Sequence, residues 1–291
     1  MGKFPIALGF GTMYRKLSSF LKQPFYEQKY IILEKFLRIF CDWAYISSHT
    51  TLKMVTKKSF YKVGYNSSPY VSKEIYNIDE MRHLGLAKYM LPCRTFELGP
   101  IGIIRYPRVS VDNPITDNEM FDLLRDLSKF SKKTKIDIMD LYFVKDFLAN
   151  PILSSEERRY LINMNLSTLY GPIHGDFHRG NILRHEGKLF LTDFDMFEQS
   201  GIHYFDFLNQ FCLGYCVNEC ASWFDYLEQM IQRWNELSSH EYWNDLPAAE
   251  KKNVFYLFVI CKLNECAGLH KSSESDQRYR EILKKICNLS V

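Results

Sequence analysis

The sequence predicts an α+β protein with a small, sheet-rich N-terminal part and a larger helical C-terminal part. Segments rich in β-branched and aromatic residues occur up to Tyr106, whereas the later periodic segments are mostly helical. The chain has 291 residues, of which 46% are hydrophobic and 24% charged, the composition of a folded protein long enough for two lobes. Because no repeat or Pro/Gly linker divides the chain, we predict a compact boundary between residues 1–106 and residues 107–291.

The first part combines helical and strand patterns. Apolar residues recur at helical spacing in residues 25–44, and β-branched and aromatic residues are enriched in residues 45–65. Ser68 and Pro69 are typical of a helix start. We therefore expect a helix over 25–44, a strand pair from 45–55 and 59–65 around the turn at 47–50, a helix over 68–89, and strands at 95–97 and 101–106.

The second part reads as a series of helices interrupted once. The expected helices cover residues 118–132, 137–149, 155–169, 203–230 with an interruption left open, 247–263 and 276–287. The interruption at residues 171–197 contains two short apolar runs, 181–183 and 189–191, on either side of the turn at 185–187. We expect these runs to form a hairpin.

Charge and cysteine content limit the functional classes. With 37 basic and 34 acidic residues the net charge is only +3, so nucleic-acid binding is not expected. Residues 1–50 hold seven basic and three acidic residues, a pattern that suits either a solvated helix face or peripheral contact with an anionic membrane. The eight cysteines lack a secreted disulfide pattern and no apolar run is long enough to span a membrane, so we expect a cytoplasmic protein, with the inner membrane face left open.

The chemistry is concentrated in residues 171–197. Asp176 stands five residues before Asn181, and Asp193 follows Asp176 by 17 residues. The expected hairpin would fold Asp193 back beside Asn181. Phosphoryl transfer needs this combination, because hard oxygen ligands hold Mg²⁺ while a further carboxylate orients the attacking hydroxyl.

The same segment resembles the aminoglycoside phosphotransferase and choline kinase family, relatives of protein kinases whose pattern is HGDxHxxN followed by IDF[DE]. The TDFD sequence at residues 192–195 matches except that threonine replaces an apolar residue, and GIHYFDF at residues 201–207 is similar to the family's GDPxYDL. The residues that match the fixed positions of the first motif are His174, Gly175, Asp176, His178 and Asn181. The resemblance implies a protein-kinase-like two-lobed fold.

The resemblance also implies the site residues of the second lobe. Asp176 would be the catalytic carboxylate that receives or orients the hydroxyl proton of the acceptor. Asn181 and Asp193 would hold Mg²⁺, and Asp195 would reach a second ion or a water. Asp206 would be structural, accepting hydrogen bonds from the backbone of the catalytic loop.

For the nucleotide, the resemblance implies a lysine in the first lobe. Lys62 lies within a strand pattern, and we expect Glu74 on the following helix to pair with it, with Glu80 as the competitor. No clear glycine-rich loop is present, so residues 47–51 are preferred over residues 9–12 for binding phosphates. We expect the adenine to contact residues 104–108 through backbone groups, with Ile104 and Tyr106 as the binding residues.

These observations predict an ATP- and Mg²⁺-dependent phosphotransferase acting on the hydroxyl of a small molecule. Acidic and aromatic residues of the C-terminal part suit an amino alcohol or aminoglycoside, and aromatic faces also suit a sugar. One alternative is a kinase of a lipid-linked or cell-surface glycan at a membrane. Another is an inactive nucleotide-binding pseudokinase, which retention of Asp176, Asn181 and Asp193 disfavours. A transition-metal site would leave Asn181 unexplained, and the oligomeric state is not predicted.

Overall fold

The chain folds into two compact units. The computed structural model describes residues 41–46, 51–65, 69–99, 101–109, 114–149, 154–215, 223–267 and 273–289. The first unit comprises the described residues up to Ile75 together with Pro92–Arg108. The second comprises Tyr76–Leu91 and the described residues of Val109–Val291.

The first unit is built on a five-stranded antiparallel sheet in the order β1-β2-β3-β5-β4. Residues 69–75 of the first described helix also belong to this unit. The elements are β1 (Trp43–Ile46), β2 (Leu52–Val55), β3 (Ser59–Tyr65), α1 (Pro69–His83), β4 (Arg94–Leu98) and β5 (Ile101–Pro107).

Alternation along β5 explains how the helix packs on the sheet. Gly102, Ile104 and Tyr106 are buried, whereas their neighbours are more exposed. A Cβ at Gly102 would lie 3.1 Å from Cδ1 of Ile75 and 3.3 Å from Cγ1 of Val71. The glycine therefore permits the start of α1 to lie close to the face of β5 that these residues share.

The second unit is mainly helical and contains two small antiparallel sheets. One has the order β10-β7-β6, and the other is the hairpin β8-β9. The helices and strands are α2 (Asp117–Ser128), β6 (Lys132–Ile136), α3 (Tyr142–Ala149), α4 (Ser155–Ile162), β7 (Leu166–Ile173), β8 (Ile182–His185), β9 (Lys188–Leu191), β10 (Glu198–Ile202), α5 (Tyr204–Tyr215), α6 (Trp223–Gln232), α7 (Trp234–Ser238), α8 (Ala248–Ala267) and α9 (Ser273–Cys287).

Helices α5, α7 and α8 supply an aromatic core. Phe207 contacts Trp243 in a tilted arrangement with ring centroids 5.2 Å apart, and Trp234 stacks on Phe255 with centroids 5.3 Å apart. Tyr204 is also fully buried. Several aromatic residues considered for acceptor binding therefore serve the core instead. None of the helices in the described ranges has the length and hydrophobicity that a membrane crossing requires.

The predicted fold class is confirmed, since an N-terminal antiparallel sheet precedes a largely helical region. Strands β2 to β5 and the hairpin β8-β9 lie where expected, and α8 and α9 extend the predicted helices by a few residues. The predicted helix over 25–44 lies outside the described residues except at its end, where Trp43 and Ala44 belong to β1.

Several element predictions were wrong in the second unit. The predicted helix over 155–169 ends at Ile162, and Leu166 begins strand β7. The helix predicted over 118–132 ends at Ser128, and Lys132 begins β6. Strand β10 and helix α7 were not anticipated. Two more helices are shorter than predicted. The helix predicted over 68–89 ends at His83, and the helix predicted over 137–149 begins only at Tyr142.

Candidate active site

A buried ion pair lies in the first unit. Nζ of Lys62 on β3 lies 2.9 Å from both carboxylate oxygens of Glu74 on α1. The two side chains are only 5% and 3% exposed. The hydroxyl of Tyr106 donates a third hydrogen bond to Glu74, at 2.9 Å. The predicted pairing of Lys62 with Glu74 is therefore present, while its role towards a nucleotide stays a prediction.

Glu80, the competing partner for Lys62, has a different contact, and Ile104 and Tyr106 lie within a strand. Glu80 accepts a hydrogen bond from Gln199 in the second unit. Ile104 lies inside β5, opposite Lys62 on one side and Thr95 on the other, so its backbone groups serve the sheet. Tyr106 is likewise within the strand, and its hydroxyl contacts Glu74. Both residues lie in the strand predicted over 101–106, and their contact with adenine stays a prediction.

The proposed catalytic loop follows strand β7 through a glycine that the geometry requires. Gly175 has φ of 79°, and a Cβ there would lie 2.1 Å from the carbonyl oxygen of Met196. Asp206 on α5 accepts hydrogen bonds from the backbone N–H groups of His174 at 2.7 Å and Gly175 at 2.9 Å. The structural contact that the motif implied for Asp206 is therefore present.

Two further side chains of α5 hold the same loop. The amide nitrogen of Asn209 donates to the carbonyl oxygen of Gly175 at 2.8 Å. The amide oxygen of Gln210 accepts from the backbone N–H of Arg179 at 3.0 Å. Both side chains are 1% exposed. Together with Asp206, these two residues make three side chains of α5 that hold the loop. Their contacts lie on both sides of Asp176 in the sequence.

Asp176 and Asn181 are joined by hydrogen bonds. The amide nitrogen of Asn181 donates to the backbone carbonyl oxygen of Asp176 at 2.9 Å and to its Oδ2 at 3.0 Å. Nδ1 of His178 accepts from the N–H of Gly180, so Nε2 of His178 carries the proton in the neutral ring, and it lies 3.6 Å from Oδ2 of Asp176. Because both bonds of Asn181 use its nitrogen, its amide oxygen is the atom that could bind a cation.

Asp193 is brought to this group by the hairpin β8-β9. Ile182 faces Leu191 in the hairpin, and the N–H of Thr192 donates to the carbonyl oxygen of Asn181 at 2.9 Å. Asp193 directly follows this bond and has φ of 66° and ψ of 67°, a left-handed conformation that Asp tolerates better than most residues. Its placement next to Asn181 is therefore set by local pairing of the chain.

The segment after Asp193 is fixed from α1. The amide nitrogen of Asn77 donates to the carbonyl oxygen of Phe194 at 2.6 Å, and Asn77 is 5% exposed. Asp195 lies in the 3₁₀ turn Phe194–Met196. Its predicted contact with a second ion or water stays a prediction.

His174 acts as a neutral link beneath the site. Burial lowers the pKa of its imidazole, although the charges of Asp176 and Asp193 oppose this effect. Nε2 therefore carries the proton and donates to the carbonyl oxygen of Thr192 at 2.9 Å, while the buried Nδ1 has no partner. His174 joins the catalytic loop to the segment before Asp193 without adding charge.

The two carboxyl groups of the loop have different electrostatic environments. Burial raises the pKa of Asp176, but the interaction with His178 and the charge of Lys262 outweigh it, so the pKa lies below its usual value. Burial raises the pKa of Asp206 to about 7, against the lowering effect of its two backbone N–H bonds. Asp176 is therefore ionised at neutral pH and suited to accept a proton.

The donor set fits magnesium better than a transition metal. Within the described ranges no cluster of three or more His, Cys, Asp or Glu side chains forms a complete metal site. Magnesium is usually held by one or two protein oxygen ligands together with phosphates and waters. The Asn181 amide oxygen and the Asp193 carboxylate match that requirement.

Residues 47–50, the main part of the predicted phosphate loop, lie outside the described residues.

Sequence reasoning did not identify Asn77, Asn209 or Gln210. It also missed the ion pairs that join helix α2 to the loop and hairpin, in which Arg179 lies 2.6 Å from Asp117 and Arg184 lies 2.7 Å from Glu119. A usable signal was present for Asn209 and Gln210, because two adjacent amides stand out in the apolar sequence of α5.

Comparison with known proteins gives structural matches only. Neither a protein-family model nor a curated protein sequence matches the chain. Choline kinase LicA from Streptococcus pneumoniae is 12% identical, with 90% of this chain and 99% of that chain covered and a TM-score of 0.46. Amicoumacin kinase hAmiN in complex with AMP-PNP, Ca²⁺ and Ami is also 12% identical, with coverage of 94% and 95% and a TM-score of 0.46.

A third match is the streptomycin-ATP ternary complex of the aminoglycoside phosphotransferase APH(2")-IIa. It is 18% identical, with 87% of this chain and 96% of that chain covered and a TM-score of 0.49. The strand lysine paired with a helix glutamate, followed by a loop with Asp and Asn and then a second Asp, is the residue order of protein kinases. The chain has an α+β fold, and the solved structures similar to it include a choline kinase and aminoglycoside phosphotransferases at low sequence identity.

Proposed function

We infer that the protein transfers the γ-phosphoryl group of ATP to a hydroxyl group of a small molecule. The observation that carries this inference is the hydrogen-bonded unit of Asp176 and Asn181, joined through the hairpin to Asp193. A structural role alone would not require an ionised, partly exposed carboxylate beside two potential magnesium ligands.

The chain's own residues would divide the work of phosphoryl transfer. Asp176 orients the acceptor hydroxyl and receives its proton as the oxygen attacks phosphorus. Asn181 and Asp193 hold Mg²⁺ through oxygen atoms, and Asp195 assists with a second ion or a water. Magnesium, when bound, neutralises the charge of the phosphates and aligns them.

Lys62 would bind the α- and β-phosphates, with Glu74 fixing the direction of its ammonium group. We retain residues 47–51 as the phosphate loop. Ile104 and Tyr106, which belong to β5, stay our proposed adenine-binding residues. Residues 1–106 and 107–291 remain our proposed lobes.

A glycan acceptor at a membrane remains the second candidate, because residues 1–50 carry an excess of basic charge. Most of those residues lie outside the described part of the chain. We place the reaction in the cytoplasm or at the inner face of the membrane, and glycan acceptors therefore form a separate arm of the experiment.

The test is acceptor-dependent release of ADP from ATP by the purified chain, with and without Mg²⁺. The panel contains amino alcohols, aminoglycosides and monosaccharides, and Asp176→Ala serves as the blank for contaminating ATPases. We expect Mg²⁺-dependent turnover that the variant lacks. Nucleotide binding with no turnover above this blank would instead support the pseudokinase alternative.

A further inference from the structure

A cavity of about 110 Å³ lies beside the catalytic loop in the second unit. Its wall includes Gly175, the residue before Asp176, together with residues of β7, β10, α3, α5 and α8. Tyr142, which is 57% exposed, lies at its open side, whereas Asn209 and Lys262 are buried. The cavity therefore has a closed end near the loop and an open end towards solvent.

The closed end offers one hydrogen-bond acceptor and one cation. The amide nitrogen of Asn209 is used by the carbonyl oxygen of Gly175, and its amide oxygen is buried without a partner. Lys262 is 5% exposed, and its charge acts on both Asp176 and Asp206. A hydroxyl group can donate to the amide oxygen and accept from an ammonium group, whereas a ligand ammonium can only donate.

The side walls are apolar and the mouth is polar. Phe143, Phe205 and Phe258 line the cavity and are at most 7% exposed. At the mouth, the hydroxyl of Tyr142 donates to Glu198 at 3.2 Å. Apolar walls with a few convergent polar groups are typical of small-molecule sites, and aromatic faces suit the C–H faces of a sugar ring.

The size of the cavity limits the ligand. A cavity of about 150 Å³ holds one benzene molecule, so the smaller volume here suits part of a single ring, with the remainder at the mouth. A ligand of several rings could place only its terminal unit inside.

From these features we propose that the cavity binds the acceptor and selects a sugar ring, with hydroxyl groups at the closed end bonded to Asn209 and Lys262. This inference rests on the proposed phosphotransferase function. In the reaction, the sugar oxygen forms a bond to the γ-phosphorus, the bond from that phosphorus to the bridging oxygen of ADP breaks, and the hydroxyl proton passes to Asp176. A quaternary ammonium group can neither donate to Asn209 nor accept from Lys262.

The experiment measures ADP release with matched acceptors: free monosaccharides, their methyl glycosides, oligosaccharides ending in the same sugars, and choline or ethanolamine. We expect sugars to stimulate turnover and the amines not to. Stimulation by oligosaccharides alone would identify a glycan end as the source of the sugar, and stimulation by free sugars would identify a monosaccharide. Either result supports the inference.

Variants of helix α8 then test the residue assignment. Lys262→Met should raise the KM for the sugar at least about tenfold, because a charged hydrogen bond is lost, with the KM for ATP within about twofold. Lys262→Arg should restore part of the affinity. Lys252→Met is the matched control, because Lys252 lies on the same helix but bonds the carbonyl oxygens of Cys287 and Leu289, and it should leave the sugar KM unchanged.

The outcomes separate the two claims. Stimulation by amines but not by sugars, turnover that no sugar raises, or an unchanged sugar KM in Lys262→Met would overturn the inference while leaving phosphotransfer intact. If Lys262→Met does not fold, the acceptor panel on the unaltered chain decides alone. Turnover equal to that of Asp176→Ala with every acceptor would overturn the proposed function itself.

Discussion

A charged side chain is held by an opposite charge in the pair Lys62–Glu74 and by a neutral amide in the pair Asp176–Asn181. Lys62 and Glu74 carry opposite charges and are almost completely buried, so each needs the other. Asp176 is 38% exposed and is bonded by a neutral amide. The comparison predicts that the fold depends on both members of the first pair, whereas the second pair can lose its carboxylate without losing the fold.

The largest expected effect separates activity from stability at Asp176. Replacing it with alanine removes the group that accepts the hydroxyl proton, so kcat should fall by roughly 10²–10⁴-fold. The midpoint of chemical denaturation and the affinity for ATP should stay close to those of the original chain. Initial rates, denaturation curves and nucleotide titration measure the three quantities. Retained turnover would mean that another group accepts the proton.

The opposite pattern is expected for the buried ion pair. Glu74→Leu leaves the Lys62 ammonium buried without its carboxylate, which should lower the free energy of unfolding by about 3–5 kcal/mol. The double variant Lys62→Met and Glu74→Leu should recover part of that loss. Lys58→Met is the matched control, since Lys58 is exposed next to the start of the same strand. Equal stability of all variants would remove the distinction drawn above.

A pH-dependent contribution is expected from Asp206. Its pKa rises on folding from 3.8 to about 7, mainly because the carboxyl is buried. The folded state therefore binds the proton more tightly, so the contribution of this group to stability is full below about pH 4 and is lost as pH rises through 7. Asp206→Asn keeps one oxygen acceptor and removes the titration.

Denaturation at several pH values between 4 and 8 would measure this effect. The difference in unfolding free energy between the original chain and Asp206→Asn should shift steadily in favour of the variant across that range. A constant difference would show that the carboxyl does not change its protonation on folding, and the explanation of its environment would then be wrong.

The smallest expected effect concerns Asn77. Asn77→Ala leaves the buried carbonyl oxygen of Phe194 without its donor, which should cost about 1–3 kcal/mol of stability. Because Phe194 follows Asp193, the KM for Mg²⁺-ATP should also rise a few fold. Asp79→Ala is a suitable control, since Asp79 lies on the same helix and bonds only Arg82 at the surface among the described contacts. A similar change in both variants would point to the helix as a whole.

Contacts between residues close in the sequence were easier to predict than contacts between distant residues. The Asp176, Asn181 and Asp193 group depends on one loop and one hairpin, and its spacing was enough to predict it. The pair Lys62 and Glu74 spans 12 residues and a strand-to-helix pattern. Contacts from α5 to the loop span more than 30 residues, so the two adjacent amides of Asn209 and Gln210 stand out in the sequence while their partner does not.

The missed sheet has a similar physical explanation. Four of the five residues of β6 are exposed, so the strand lacks the alternation of apolar and polar residues that identifies an edge strand. In β7, Leu166 and Leu169 continue the apolar spacing of α4, which favoured a longer helix. Pairing between β6 and β7 overrides that local preference, and such pairing is not visible in either segment alone.

Calorimetric titration of ATP with and without Mg²⁺ tests the proposed metal site most directly. The original chain and Asp176→Ala should both bind ATP more tightly when Mg²⁺ is present, because Asn181 and Asp193 remain. Asp193→Ala should lose most of that gain. An equal gain from Mg²⁺ in Asp193→Ala would contradict the assignment of Asp193 as a magnesium ligand, and with it the division of roles within the site.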